Sequence, residues 1–97
     1  MAKYYLSNKA VEDLDEIWNY TFDEWSEKQA DKYYDLLLNS CQEIAENPNF
    51  GKKYDNVSDK LLGFKSNKHI LFYKIISNIE IEIIRILHNR MDLKSKF

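Results

Sequence analysis

Cysteine, proline, glycine and histidine are all scarce in this chain of 97 residues. The single cysteine, Cys41, excludes an intramolecular disulfide, and its place on an apolar helical stripe indicates a buried side chain rather than a nucleophile. Gly51 and Gly63 form no glycine-rich motif, which argues against a phosphate-binding loop and nucleotide hydrolysis. The two histidines lack the spacing of a cysteine–histidine zinc motif. We therefore expect neither a metal nor another cofactor.

Long apolar runs are missing as well. No stretch of about 18 apolar residues occurs and no signal peptide begins at Met1, so the chain is expected to be cytoplasmic. A hydrophobic share of 44% and a charged share of 31% are typical of a globular chain. We predict one domain over residues 1–97, with a flexible tail at residues 94–97.

Charge is distributed unevenly along the chain. Residues 1–59 contain 13 acidic and 6 basic side chains, whereas residues 60–97 contain 3 acidic and 8 basic ones. This asymmetry predicts an acidic helical layer and a basic strand layer. A basic face favours nucleic acid or an acidic protein as the partner.

Apolar residues at intervals of three and four predict two amphipathic helices. Ser7 offers the N-cap of the first helix. Ser26 begins a Ser-x-x-Gln capping box, so the second helix starts almost at once and should form a hairpin with the first. Pro48 ends it. The acidic residues of the first helix are predicted to form a solvated face: Glu12, Asp13, Asp15, Glu16, Asp23 and Glu24.

Short runs rich in β-branched and aromatic residues predict strands at residues 3–6, 61–66, 69–76 and 79–87. Turns are predicted at Asn67-Lys68 and Ser77-Asn78, and residues 47–60 are predicted to form a loop. The run 69–76 is apolar on both faces, which indicates an interior strand. The order β-αα-βββ predicts an α+β two-layer sandwich, with the helical hairpin packed on a mostly antiparallel sheet.

The last strand ends near three residues that are costly to place beside a core: Arg85, His88 and Arg90. They suit contact with an anionic or hydrogen-bonding partner. Acid–base cleavage of RNA needs a base, a cation and an acid, which these residues, Lys65 and Tyr73 could supply. Strict alternation, however, directs Arg85 and His88 to opposite faces of the sheet unless a bulge intervenes.

Some of these residues also have structural explanations. Arg85 could pair with an acid of the first helix, and His88 could bond a backbone carbonyl at the strand end. His69 and His88 could lie at equal or opposite heights, depending on the strand register. Arg90 lies beyond the strand and has little structural reason to be there, which makes it the best single candidate for a partner contact.

Several short segments, taken in order, resemble the ParE toxins of bacterial toxin–antitoxin modules, within the RelE/ParE superfamily. The segments are Tyr5-Leu6-Ser7, Asp13-Leu14-Asp15-Glu16-Ile17, Trp25 with Gln29-Ala30 and Tyr33, Pro48, His69-Ile70-Leu71-Phe72-Tyr73, and Arg85-Ile86-Leu87-His88-Asn89-Arg90-Met91-Asp92. Together they span nearly the whole chain and agree with the β-αα-βββ order.

The resemblance implies a toxin that inhibits DNA gyrase by binding and that is neutralised by a ParD-like antitoxin. We expect the antitoxin to cover the groove between the helical hairpin and the sheet, and any open sheet edge. Trp18, Trp25 and Tyr34 are its expected anchors. Direct contact with nucleic acid is expected only through the antitoxin. The expected target-binding residues are Arg85, His88, Arg90, Met91, Lys65 and Lys68.

RelE-like relatives instead cleave mRNA on the ribosome, and that alternative would use His88 as acid or base and Arg85 as phosphate clamp. Such nucleases resemble this chain less closely. They place an arginine shortly before the His-x-x-x-Tyr strand, where Lys65 is the nearest cation, and lysine does not replace a bidentate arginine. They have a glutamate in the preceding loop, which here offers Asp55 and Asp59. A degenerate, non-toxic partner is the third possibility.

Overall fold

The computed structural model describes residues 1–97, with Lys94 described for its backbone alone. Its elements are β1 (Lys3–Leu6), α1 (Asn8–Glu24), α2 (Glu27–Glu46), β2 (Lys52–Lys53), β3 (Leu62–Ser66), β4 (His69–Ser77) and β5 (Glu80–His88), with 3₁₀ turns at Pro48–Phe50 and Lys94–Lys96. The strands form one sheet in the order β1-β5-β4-β3-β2. β1 and β5 run parallel, and the other neighbours are antiparallel. The predicted α+β sandwich, with two helices on a mostly antiparallel sheet, is confirmed.

The helix ends follow the predicted caps. The Ser7 hydroxyl accepts a hydrogen bond from the Ala10 amide at 3.0 Å, and the Ser26 hydroxyl accepts one from the Gln29 amide at 3.1 Å. Each cap satisfies a backbone donor that the helix itself leaves free, and is worth about 1 kcal/mol. Because α1 ends at Glu24 and α2 begins at Glu27, the two helices fold back on each other.

Two predicted boundaries are wrong. The predicted loop at residues 47–60 contains a 3₁₀ turn and the two-residue strand β2, which is too short to show an alternating pattern. The turn between β4 and β5 is Asn78-Ile79 rather than Ser77-Asn78, because Ser77 still pairs with Glu80.

The main core lies between the helices and one face of the sheet. Cys41 is fully buried there, as predicted, and burial raises the pKa of its thiol to about 12, so the thiol stays protonated at neutral pH. The buried members of this core are Ala10, Leu14, Leu37, Cys41, Ile44, Ala45, Leu71, Tyr73, Ile81, Ile83 and Ile86.

A second, smaller cluster covers the opposite face of the sheet. Its buried residues are Leu61, Ile70, Phe72 and Leu87, and Tyr54, Val57, Ile84 and Leu93 pack against them. The ring of Phe97 meets that of Phe72 edge to face, with centroids 5.3 Å apart. Burial on both sides explains why β4, an interior strand as predicted, is apolar on both faces. The flexibility predicted for residues 94–97 stays a prediction.

Hydrogen bonds of the Tyr73 hydroxyl connect residues 48–51, which follow α2, to the interior strand β4. Its hydroxyl donates to the Pro48 carbonyl at 2.6 Å and accepts from the Gly51 amide at 3.0 Å. A Cβ atom at Gly51 would lie only 2.4 Å from that hydroxyl and 2.9 Å from two ring carbons. A glycine is therefore required here by the close approach of the tyrosine ring.

Gly51→Ala is expected to destabilise the protein by about 1–3 kcal/mol, because the methyl group must displace a fully buried ring. Urea unfolding of both proteins measures the difference. In a Tyr73→Phe background the contact with the hydroxyl is gone, so the same glycine replacement should cost less. An equal cost in both backgrounds would contradict the proposed clash.

Candidate interaction surfaces

A β-bulge in β5 determines where its charged side chains point. Arg85 pairs with Phe72, but the next residue of β4, Tyr73, pairs with Ile83, so Ile84 is an extra residue in β5. The bulge reverses the alternation: Ile83 and Ile86 both face the helices, whereas strict alternation would place them on opposite faces. The bulge lies before Arg85, and the pairing with β4 is regular from Arg85 to His88, so the opposed directions predicted for these two side chains are confirmed.

Arg85 forms a bidentate ion pair with Asp13 of α1. Its Nε lies 2.8 Å from Asp13 Oδ2, and Nη2 lies 2.9 Å from Oδ1. The pairing raises the pKa of Arg85. Nη1 donates to the Lys96 carbonyl at 2.9 Å. The structural explanation for Arg85, a pair with an acid of the first helix, is therefore confirmed.

The prediction that Asp13 belongs to the solvated face of α1 is wrong, since only 7% of the residue is exposed. Besides holding Arg85, its Oδ2 accepts the Ile86 amide at 3.0 Å. Asp13 sits on the helix beside the buried Leu14 and meets β5 just beyond the bulge. The helical pattern places Asp13 at the border of the apolar stripe. Its burial depends on its contacts with β5 next to the bulge, and the bulge has no local signal in the sequence.

Ser7 and Asp13 both form hydrogen bonds with the backbone of β5 beyond the end of β1. The last pair of the parallel ladder is Leu6 with Ile83. Beyond it, the Ser7 amide donates to the Ile83 carbonyl at 3.0 Å and the Ser7 hydroxyl donates to the Ile84 carbonyl at 2.7 Å. Side chains at the start of α1 thus continue the hydrogen bonding that β1 begins.

His69 and His88 lie side by side at one end of the sheet. They are register partners, and their ring centroids are 5.4 Å apart. Nδ1 of His69 and the Tyr33 hydroxyl share a hydrogen bond of 2.6 Å, while Nδ1 of His88 accepts the Arg90 amide at 3.2 Å. The bond predicted from His88 to a carbonyl is thus replaced by one from an amide. Among the described side chains, no third candidate ligand joins the pair to form a metal site.

The stability of the protein is expected to fall as the pH drops from about 6.5 to about 4. Burial, followed by the proximity of His88, lowers the pKa of His69 to about 4, whereas an unfolded chain titrates near 6.5. In that window the unfolded state binds a proton that the folded state excludes, so stability is lost on acidification. Because His69 is only partly buried, we expect a loss of about 1–2 kcal/mol rather than the full effect.

Urea unfolding at pH 7 and pH 5 measures this loss. His69→Gln does not titrate, and should lose less stability than the parent between the two pH values. Carboxylates titrate equally in both proteins and cancel in the comparison. Parallel pH profiles for the two proteins would show that His69 is not the responsible group.

Basic side chains gather around this histidine pair. The amide of Asn89 donates to the Lys68 carbonyl at 2.9 Å, which joins the turn between β3 and β4 to the end of β5. Lys68 and Arg90 are exposed, and Met91 is 43% exposed. We call this surface the basic tip: Lys65, Lys68, His88, Arg90 and Met91. Of the six predicted target-binding residues, Arg85 is not part of the basic tip, because its guanidinium group already donates to the Asp13 carboxylate and the Lys96 carbonyl.

A shallow hollow lies between the two helices. Trp18 of α1 and Tyr34 of α2 line it together with Asp31 and Asp35, and its volume is about 320 Å³. The Trp18 indole N–H donates to Asp31 Oδ1 at 3.0 Å. Of the three predicted antitoxin anchors, Trp18 and Tyr34 therefore share one hollow. Trp25 lies in the connection between the helices and is 75% exposed.

A separate groove of about 350 Å³ runs between α2 and β3. The hydroxyls of Ser40 and Ser66 share a hydrogen bond of 2.9 Å along it. β2 pairs only with Leu62 and Gly63, so Phe64–Ser66 of β3 meet no further described strand on their outer side. The residues lining the groove are Leu36, Asn39, Ser40, Glu43, Phe64, Lys65 and Ser66.

Two of the side chains considered for RNA cleavage are engaged within the protein. Tyr73 is fully buried and its hydroxyl is bonded to the backbone of residues 48 and 51. The Arg85 guanidinium is held by Asp13. His88, Arg90 and Lys65 remain at the surface. None of the described helices is both long enough and apolar enough to cross a membrane.

Comparison with known proteins identifies the family. The family described as "ParE toxin of type II toxin-antitoxin system, parDE" matches residues 4–93. Toxin ParE1 of Mycobacterium tuberculosis is 34% identical over 92 residues, covering 95% of this chain and 94% of that protein. Toxin ParE1 of Caulobacter vibrioides is 35% identical over 95 residues, covering 98% and 97%.

A solved structure, described as the chromosomal ParDE TA system from P. aeruginosa, has the same fold. It superposes with a TM-score of 0.77 at 18% identity, over 91% of this chain and 96% of that one. At this identity the likeness concerns the fold, and the sequence relatives carry the assignment. Since the family match and both relatives span nearly the full length, the chain belongs to the ParE toxin family of type II toxin–antitoxin systems.

Proposed function

We propose that this ParE-family toxin binds and inhibits DNA gyrase through the basic tip, and that a ParD-like antitoxin neutralises it. The observation that carries the proposal is the convergence of exposed Lys68, Arg90 and Met91 beside His88 at one end of the sheet. The resemblance to gyrase-directed toxins supplies the target. Oppositely charged surfaces steer association and select partners, so an acidic region of the target is the expected docking site.

The six predicted target-binding residues contribute in different ways. Arg90, His88 and Met91 offer charge, hydrogen bonding and apolar contact at the tip, while Lys65 and Lys68 add positive charge around them. Arg85 acts as a positioning residue, because its pair with Asp13 anchors β5 three residues before His88. A surface arginine with an apolar neighbour is a common centre of binding energy in protein interfaces.

The antitoxin has two suitable docking surfaces. The groove beside β3 adjoins unpaired backbone at Phe64–Ser66, which an extended segment could join as an added strand. The aromatic rings of the helical hairpin supply a second surface, with half-buried Trp18 and Tyr34 and exposed Trp25 as anchors. An antitoxin segment that covers both would account for the many aromatic residues of the helical layer.

The test of the target is DNA supercoiling by purified gyrase, with and without this protein refolded free of antitoxin. Inhibition of supercoiling, or accumulation of cleaved DNA, is the expected result. Addition of the cognate antitoxin should restore supercoiling. A folded sample without effect on gyrase would contradict the proposed target.

The alternative function, ribosome-dependent mRNA cleavage, is favoured by the position of half-buried His88 beside the exposed Arg90 and Lys68. Mapping of transcript ends after induction separates the two functions, because cleavage leaves defined ends and gyrase poisoning leaves DNA breaks. A degenerate toxin would leave the growth of induced cells unchanged.

Antitoxin docking on the helices is tested by tryptophan fluorescence. Binding of the cognate antitoxin is expected to shift the emission of Trp18 and Trp25, and the two tryptophans of the chain make the signal simple to assign with single Trp→Phe variants. Complex formation that leaves both emissions unchanged would contradict the anchor assignment.

A further inference from the structure

We propose that the hollow between α1 and α2 receives one basic side chain of the antitoxin, preferably an arginine. The hollow is the one lined by Trp18, Asp31, Tyr34 and Asp35. This inference rests on the proposed antitoxin partner and assigns the chemistry of one contact. It predicts that a single cationic residue, rather than an apolar one, occupies the space between the two rings.

The aromatic side of the hollow is already held in place. The Trp18 ring stacks on Phe22 with centroids 5.3 Å apart and an angle of 19° between the ring planes. Its N–H is fixed by the bond to Asp31 Oδ1. An indole restrained in this way loses little freedom on binding, and indole is the best aromatic partner for a cation.

The acidic side of the hollow has carboxylates without a basic partner. Among the described side chains, the ion pair that forms is Asp13 with Arg85, and neither Asp31 nor Asp35 takes part in one. Both are exposed on α2 in the half of the chain that holds 13 acidic and 6 basic residues. A cation between them would meet two negative charges in an acidic field.

Arginine fits this arrangement better than lysine. Its planar guanidinium can stack on an aromatic ring while its donors reach carboxylates, whereas lysine offers a compact point charge. An apolar side chain would instead leave both carboxylates near it partly desolvated. The hollow, at about 320 Å³ and open to solvent, has room for one long side chain.

The test is the dissociation constant of the complex with the cognate antitoxin, measured at several salt concentrations. Asp31→Asn/Asp35→Asn keeps size and preserves an acceptor for the Trp18 N–H. We expect it to weaken binding roughly 3- to 30-fold and to reduce the salt dependence. Asp55→Asn/Asp59→Asn changes the charge equally on the exposed loop before β3 and should stay within about twofold, as a distant surface change does. Equal weakening by both double variants would overturn the inference.

A double-mutant cycle identifies the cation. Each arginine and lysine of the antitoxin is changed to glutamine and combined with Asp31→Asn/Asp35→Asn. One basic residue should lose most of its effect in the variant background, and coupling to no basic residue would overturn the inference. Failure of the parent toxin to bind the antitoxin would refute the proposed partner itself. Tight binding that the hollow variants leave intact would refute only the cationic contact.

Discussion

Asp13→Ala is expected to lower the free energy of unfolding by about 3–5 kcal/mol, the usual cost of removing one partner of a buried ion pair. The change leaves two kinds of hydrogen-bond donor without their acceptor. The guanidinium of Arg85 loses both of its carboxylate contacts, and the Ile86 amide loses its acceptor at a buried site. A domain of this size has roughly 5–15 kcal/mol of stability in total, so the variant should be close to unfolding at 37 °C.

Urea unfolding with a common m-value measures the effect. Asp15→Ala is the matched control, since Asp15 is an exposed acid on the same helix, and it should change stability by no more than about 0.5 kcal/mol. Asp13→Asn keeps the shape and one acceptor but loses the charge, so it should fall between the two. If Asp13→Ala and Asp15→Ala behaved alike, the ion pair would not hold α1 to β5 as described.

Arg90→Ala is expected to abolish toxicity in cells at equal expression. Truncation of a central interface arginine commonly costs about 2–4 kcal/mol of binding energy, which is roughly 30- to 1,000-fold in affinity. Stability should hardly change, because the side chain of Arg90 is exposed and its contact within the fold is made by its backbone amide. The readout is colony formation after induction, together with supercoiling by purified gyrase.

Two further variants serve as controls for the Arg90→Ala result. Lys3→Ala removes an exposed positive charge from β1, opposite Glu80 at the other end of β5 from His88, and should leave toxicity intact. Arg90→Lys keeps the charge and loses the planar fork, so partial toxicity is expected if the fork matters. Full toxicity of Arg90→Ala in a folded, equally expressed protein would remove Arg90 from the target surface.

The elements that follow from local patterns agree with the sequence prediction. Ser7 and Ser26 cap their helices, Pro48 follows the end of α2, and Asn67 takes a positive φ of 55° in the turn between β3 and β4. Each of these depends on neighbours within a few residues, which a single sequence displays. The family resemblance adds a fold that the strand and helix order alone leaves undetermined.

The functional geometry depends on contacts between distant residues, and there sequence reasoning is less complete. The bulge at Ile84 has no local signature, yet it places Arg85 within reach of Asp13, 72 residues earlier. The register that sets His69 against His88 likewise depends on the whole hairpin. The sequence pattern identifies Arg85 as a charged residue in an apolar strand, but only the fold shows that Asp13 forms an ion pair with it.

The parallel pairing of β1 with β5 has a consequence for synthesis. Lys3 and Leu6 pair with Glu80 and Ile83, so the first strand to leave the ribosome can pair only after the last strand, β5, has been made. Contacts of such high sequence separation form late, because the intervening loop must be closed first. Asp13 also receives Arg85 only when β5 is made. The sheet therefore stays incomplete until β5 has been made, and the basic tip is completed only when His88, Arg90 and Met91 join Lys65 and Lys68.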